Sequence, residues 1–205
     1  MDDLLILEWS EACTLMEAAL TSPASDAYFD VRARWRRVEE TVLTVLGDAG
    51  ALALVHDEAP YLRALAARAP SVPAESLERL ASDPALIVRV AVASNPATPT
   101  SALSALYRDG SWHVRVELAG NTSTPLWLLK SLASDQLPRV RAAVAALPAA
   151  PELVVSKLAN DRDWQVRVAL ASNKAVSRFT LRELADDRDL RVATAARKSL
   201  RTAAF

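Results

Sequence analysis

Two residues able to exchange protons, His113 and Glu117, stand four apart in a stretch with helical patterning, which sets both side chains on one face. They form either an acid–base pair in a groove or an ordinary i,i+4 surface pair. The ordinary pair is the commoner arrangement, because tuned titration needs burial. A second pattern recurs around them: Asp57 and Arg63, Asp83 and Arg89, Asp109 and Arg115, Asp135 and Arg141, and Asp161 and Arg167 are each six residues apart. An Arg fork can bridge a carboxylate and the orphan carbonyls of a neighbouring helix end, satisfying groups that stacking would otherwise bury unpaired. A group present in every copy of a pattern serves stacking sooner than a single site. Trp112 and Trp164, 52 residues apart, either anchor a partner at an edge or cover a joint between packed segments.

Charge gives a third candidate chemistry. Arg32, Arg34, Arg36 and Arg37 surround Trp35, and Arg178, Arg182, Arg188, Arg191, Arg197, Lys198 and Arg201 crowd the far end of the chain. Phosphate contact is one use of such clusters. Solvated helix faces, paired with Glu39, Glu40, Asp186 and Asp187, are the simpler one. Other chemistries fail on counting: Cys13 is the lone cysteine, His56 and His113 lack ligand spacing, and Gly47, Gly50, Gly110 and Gly120 are the only glycines. A disulfide, a thiolate cage and a Gly-rich phosphate loop are therefore excluded, and neither cofactor nor metal nor catalytic residue is expected.

Helices must position these side chains. Of 205 residues 40 are Ala and 30 are Leu, aromatics make up 5%, and the net charge is -1. Such a composition predicts an all-α fold and excludes a β-sandwich. The near-zero charge gives no general pull toward nucleic acid or anionic membrane. The N-terminus is acidic where a signal peptide is basic, and its apolar run is too short for a span, so a cytoplasmic protein with no membrane contact is expected.

The elements repeat. Val88-Arg89, Val114-Arg115, Val140-Arg141 and Val166-Arg167 are spaced by 26, Leu62-Arg63 precedes them in register, and Leu190-Arg191 follows after 24. Leu54, Leu80, Leu106, Leu132, Leu158 and Leu184 keep the same step, as do Pro73, Pro99, Pro125 and Pro151. About six repeats of 24–26 residues are predicted over 47–205, each a pair of short helices. In the repeat at Asn95-Pro96-Ala97-Thr98-Pro99, Thr98 is the expected N-cap of a first helix of about ten residues, with Pro99 at its first position. A second helix begins near His113 and ends near Asn121, in a residue type that tolerates left-handed backbone. Such helices are too short to stand alone, so stacking must hold them. Residues 1–46 fall outside the period and predict two helices, Asp3 to Leu20 and Tyr28 to Leu46, that cap the stack.

Val88-Arg89-Val90-Ala91-Val92-Ala93-Ser94-Asn95-Pro96-Ala97-Thr98-Pro99, followed by Leu103, Leu106 and Asp109, resembles the leucine-rich repeat variant (LRV) motif, a bacterial helical repeat related in build to HEAT and armadillo repeats. The likeness covers roughly residues 51–200. It implies a curved, right-handed α-solenoid used for binding, with no general catalytic residues. It also implies that the Asp and Arg columns, from Asp57 to Arg191, form a ladder between repeats. The Cys-rich segment of some LRV proteins is absent here.

The expected function is non-catalytic binding or scaffolding of a protein or peptide along the concave groove lined by second helices. Breaks in the repeat point to the site. Two positions after the ladder Arg, the column reads Leu65, Ala91, Glu117, Ala143, Ala169 and Ala193. Two positions before it, the column reads Tyr61, Ile87, His113, Arg139, Gln165 and Asp189. The partner-binding residues are thus expected to be His113, Glu117, Arg139 and Gln165, with Trp112 and Trp164 at the edge. Nucleic-acid binding, or repair by a HEAT-like DNA glycosylase, is the alternative. A third possibility follows from charge, since residues 1–31 hold seven acids and no Lys or Arg, while 162–205 hold ten Lys and Arg against five acids. That gradient suggests salt-sensitive, end-to-end self-association.

Overall fold

The computed structural model describes residues 3–21, 25–148 and 150–202. Every regular element among them is helical. No helix among these residues is long and apolar enough to cross a membrane. The chain divides into two compact units, Met1–Val114 and Arg115–Phe205.

The N-terminal unit opens with a hairpin of α1 (Asp3–Thr21) and α2 (Ser25–Ala53). Residues 22–24, between them, lie outside the described residues. The span is broken at Gly47, whose backbone is not helical, so the helix expected to end at Leu46 does end there and a further helical segment continues to Ala53. Gly47 has φ 64° and ψ 176°, a region essentially restricted to glycine. A Cβ there would meet no atom within 4 Å, so the penalty for a side chain is purely conformational. Gly47→Ala is expected to lower stability by about 1–3 kcal/mol in a denaturant titration; an unchanged midpoint would show that the kink is not required.

After a 3-10 turn at Leu54–His56 the unit continues with α3 (Pro60–Arg68), α4 (Ala74–Leu80), α5 (Leu86–Ser94), α6 (Thr100–Leu106) and the start of α7 (Trp112–Gly120). The C-terminal unit contains α8 (Leu126–Leu132), α9 (Pro138–Ala145), α10 (Glu152–Ala159), α11 (Trp164–Ser172), α12 (Arg178–Ala185) and α13 (Leu190–Thr202). Helices α4, α6, α8, α10 and α12 start 26 residues apart, and so do α5, α7, α9, α11 and α13. Within each unit like packs on like: α3 lies against α5, α9 against α11 and α11 against α13, with α4 against α6 and α10 against α12. Each unit has its own core between first and second helices, with Leu77 and Leu103 buried opposite Val88 in the N-terminal unit and Leu128 and Leu158 opposite Val140 and Val166 in the C-terminal one.

Two local expectations change. Thr98 does not cap α6: its hydroxyl donates back to the Val92 carbonyl at 2.7 Å, and Thr124 does the same to Leu118 at 2.7 Å. The first helix begins only after Pro99, at seven residues rather than ten, and the threonine instead adds a second hydrogen bond to a last-turn carbonyl of the preceding helix that the Asn95 N–H already reaches at 3.1 Å. Nor does Asn121 end its helix left-handed, since no residue other than glycine has a positive φ among those described; Asn95, one repeat earlier in the same column, is extended at φ -78° and ψ 122°. Its amide donates to the carbonyls of Ala67 and Ala69 at 2.6 and 3.2 Å, and its Oδ1 accepts from the Ala97 N–H. Asn173 repeats this on Ala145 and Leu147, and Ser199, 26 residues on, donates to Ala171. At these three positions the column ties the end of a second helix to the end of the second helix one repeat earlier.

Candidate functional site

The Asp and Arg columns meet, but with a different partner from the one their spacing suggests. Arg63 donates Nε and Nη2 to Asp83 at 2.8 and 3.0 Å, 20 residues ahead, while Nη1 donates to the carbonyls of Asp57 and Glu58. Arg89 pairs with Asp109, Arg115 with Asp135, Arg141 with Asp161, and Arg167 with Asp187, all with Nε to Oδ2 distances of 2.6–2.7 Å. The acid six residues upstream contributes its main-chain carbonyl, as Asp135 does to Arg141. Its carboxylate is taken up by the turn, where Asp135 accepts from the Leu137 N–H, and by the Arg of the preceding helix. The columns end differently. Asp57 accepts from the Ala59 N–H, and Arg191 turns back to Asp189 at 2.7 Å.

Burial works against the carboxylates of Asp83 and Asp161, yet both sit below the usual carboxylate range. Bonds from Arg63 and the Ala85 N–H, and from Arg141 and the Asp163 N–H, outweigh it, helped by the nearby Arg charges. Asp187 is lowered chiefly by its bond from Arg167. Because these values are lower folded than unfolded, the stabilisation is complete above about pH 5 and is lost as pH falls through the unfolded and then the folded values. A melting temperature that holds down to about pH 5 and then declines steadily is expected; one flat to pH 2 would contradict the pairing.

The residues chosen as a binding surface separate into two groups. His113 and Glu117 are buried, at 4% and 1% exposure. His113 stacks on Trp112 with ring centroids 3.6 Å apart, and Tyr28 from α2 meets both rings edge-on, at 4.6 Å from His113 and 5.4 Å from Trp112. The expectation of an exposed pair is thus corrected, and neither residue offers a surface to a partner. Arg139 is half-buried and Gln165 exposed. Trp164 is half-buried, with the Arg191 guanidinium 3.4 Å above its ring. In the cluster around Trp35 the aromatic is not on the surface, because Trp35 is 1% exposed and stacked on Trp9, while Arg34 and Arg37 are exposed.

No protein family and no curated protein matches this chain. What distinguishes the face of the second helices is its cover. In the N-terminal unit the hairpin does not merely close an end: α2 packs on α3, and α1 on α5. Glu39 meets Arg68 at 2.6 Å, the Arg68 guanidinium lies 5.8 Å from the Trp35 ring centre, and Arg68 also donates to Ser94. Ile87, Val90 and Ala91 on α5 are consequently almost fully buried. The corresponding residues of α9 (Arg139, Ala142, Ala143) and α11 (Gln165, Val168, Ala169) are half-buried or exposed. Among the described residues, no three His, Cys, Asp or Glu side chains are placed to hold a metal.

Proposed function

We propose that this chain is a non-catalytic binding protein of the helical-repeat class, a cytoplasmic, LRV-like, right-handed α-solenoid of about six repeats that holds a protein or peptide on its second-helix face. The partial exposure of Arg139, Ala142 and Ala143 on α9 and of Gln165, Val168 and Ala169 on α11 carries the reading. A few such anchors on an extended surface supply affinity without a deep pocket. His113 and Glu117, being buried, drop out of the contact set, leaving Arg139, Gln165 and the half-buried Trp112 and Trp164. The test compares wild type with Arg139→Glu/Gln165→Glu/Ala169→Arg as bait in quantitative pull-downs, with Ser101→Ala as control. At least one protein bound by wild type and control should be lost by the triple variant; a recovered set identical for all three baits sinks the assignment.

A second reading, nucleic-acid binding, draws on charge: the C-terminal unit has fifteen Lys and Arg against nine Asp and Glu, a net +6. Arg141 and Arg167 are, however, already engaged by Asp161 and Asp187. DNA or RNA retardation that weakens tenfold or more between 50 and 200 mM salt would favour this reading over the first.

A further inference from the structure

The opposite face of the C-terminal unit carries a feature that peptide binding on the second helices leaves unused. Trp127, Leu153 and Phe179 occupy the second position of α8, α10 and α12, one in each, at steps of 26 residues. They are 51%, 65% and 71% exposed. In the N-terminal unit the same column holds the exposed polar residues Glu75 and Ser101, so the apolar stripe is confined to one unit. Three large apolar side chains aligned on a first-helix row mark an interaction surface, because soluble monomers rarely expose such patches.

Charge says what covers it. One helical turn beyond the stripe stand Lys130, Lys157 and Arg182, all exposed, within the unit of net charge +6. The N-terminal unit has nine Lys and Arg against sixteen Asp and Glu, a net of -7. Its helix α1 turns outward Glu11, Leu15 and Ala18, which share a helix face, with the exposed Glu17 beside them. An acidic helix with an exposed leucine thus exists on the same chain as a basic, apolar-striped face. A uniformly anionic bilayer fits that face less well, because Glu152 and Glu183 stand within it and would be repelled.

We infer that the Trp127–Leu153–Phe179 face of one copy docks on the acidic α1 face of a second copy, giving head-to-tail association. Such an interface is heterologous, joining two different surfaces, and it adds copies in a row. Trp127 and Phe179 together offer on the order of 250 Å² of contact, well short of the roughly 800 Å² per partner of a standard interface. The association is therefore weak, formed at tens of micromolar protein, and steered by charge. It does not depend on the second-helix reading, and the two fail separately.

Sedimentation velocity of the full chain from 2 to 200 μM tests it. At 50 mM NaCl the average mass should climb above the 22.1 kDa monomer with concentration, and at 500 mM it should return to monomer. Trp127→Ser/Phe179→Ser, at positions exposed enough to leave folding intact by circular dichroism, should weaken association at least tenfold. Lys130→Glu/Lys157→Glu should do so while keeping the stripe. Because the serine variant retains its acidic α1, it should still bind wild type as a chain terminator. A monomer throughout, association unchanged by the serine variant, or a serine variant unable to cap wild type would each overturn the proposal. So would a salt-insensitive monomer that sediments with phosphatidylglycerol vesicles.

Discussion

Asp161→Ala is expected to cost about 3–5 kcal/mol of stability, because it removes one partner of a buried ion pair and strands the other. Arg141 and Asp161 have side chains only 6% and 8% exposed. The substitution takes away the acceptor of both Arg141 Nε, at 2.6 Å, and Nη2, at 2.8 Å, and leaves the Asp163 N–H without its 2.9 Å partner. Nη1 keeps the carbonyls of Asp135 and Gln136, which anchors the cation where water does not reach it freely. For a chain of this size the loss corresponds to roughly 6–20 °C in melting temperature. A cost below about 1 kcal/mol, typical of exposed pairs, would mean that the pair is solvated. Replacing both residues by apolar ones of similar volume should recover much of the loss, as buried pairs exchanged whole are often neutral. Asp161→Asn should fall between, since its amide oxygen still accepts from the Asp163 N–H.

The spacing of six was legible in the sequence, but the geometry behind it was not. Six residues separate Arg141 from the carbonyl of Asp135, whereas the carboxylate it holds belongs to Asp161, 20 residues ahead. A column of invariant spacing offers both distances, and only stacking decides between them. The all-helical class followed from Ala and Leu content, and helix starts at steps of 26 followed from the columns. Thr98 and the asparagine column of Asn95 and Asn121 depart from expectation for a common reason. Local rules assign a polar side chain to its own helix end, while in stacked short helices the carbonyls of the preceding helix compete for it and win. The burial of His113 leaves a partial trace in the sequence. The column Tyr61, Ile87, His113 turns to Arg139, Gln165, Asp189 at its midpoint, and in its first half Ile87 and His113 are buried although Tyr61 is exposed. Nothing in the period of 26 disclosed where residues 1–46 would lie, because a segment outside the repeat has no register to be read from.

Trp35→Ala tests that cover directly. The ring is 1% exposed, stacked 5.8 Å from Trp9 at an interplanar angle of 18°, with the Arg68 guanidinium 5.8 Å from its centre. Truncating so large a buried side chain costs about 3–5 kcal/mol, and most of it should fall on the docking of the hairpin, because Trp35, Trp9 and the Glu39 partner of Arg68 all lie on α1 and α2. Cys13 reports the event. It is 4% exposed, and burial pushes its thiol up to about 12, so in the native protein it should resist thiol reagents at pH 8 until the chain opens. If the hairpin opens locally, the variant should label at least tenfold faster while the helical signal of the rest of the chain persists. Labelling as slow as wild type would show that the hairpin is held without Trp35. Undocking also bares Ile87, Val90 and Ala91 on α5, so dye binding to apolar surface should rise in step with Cys13 labelling. The cover is then a separable element: the same second-helix surface that α9 and α11 leave partly open is, on α3 and α5, occupied by the chain itself.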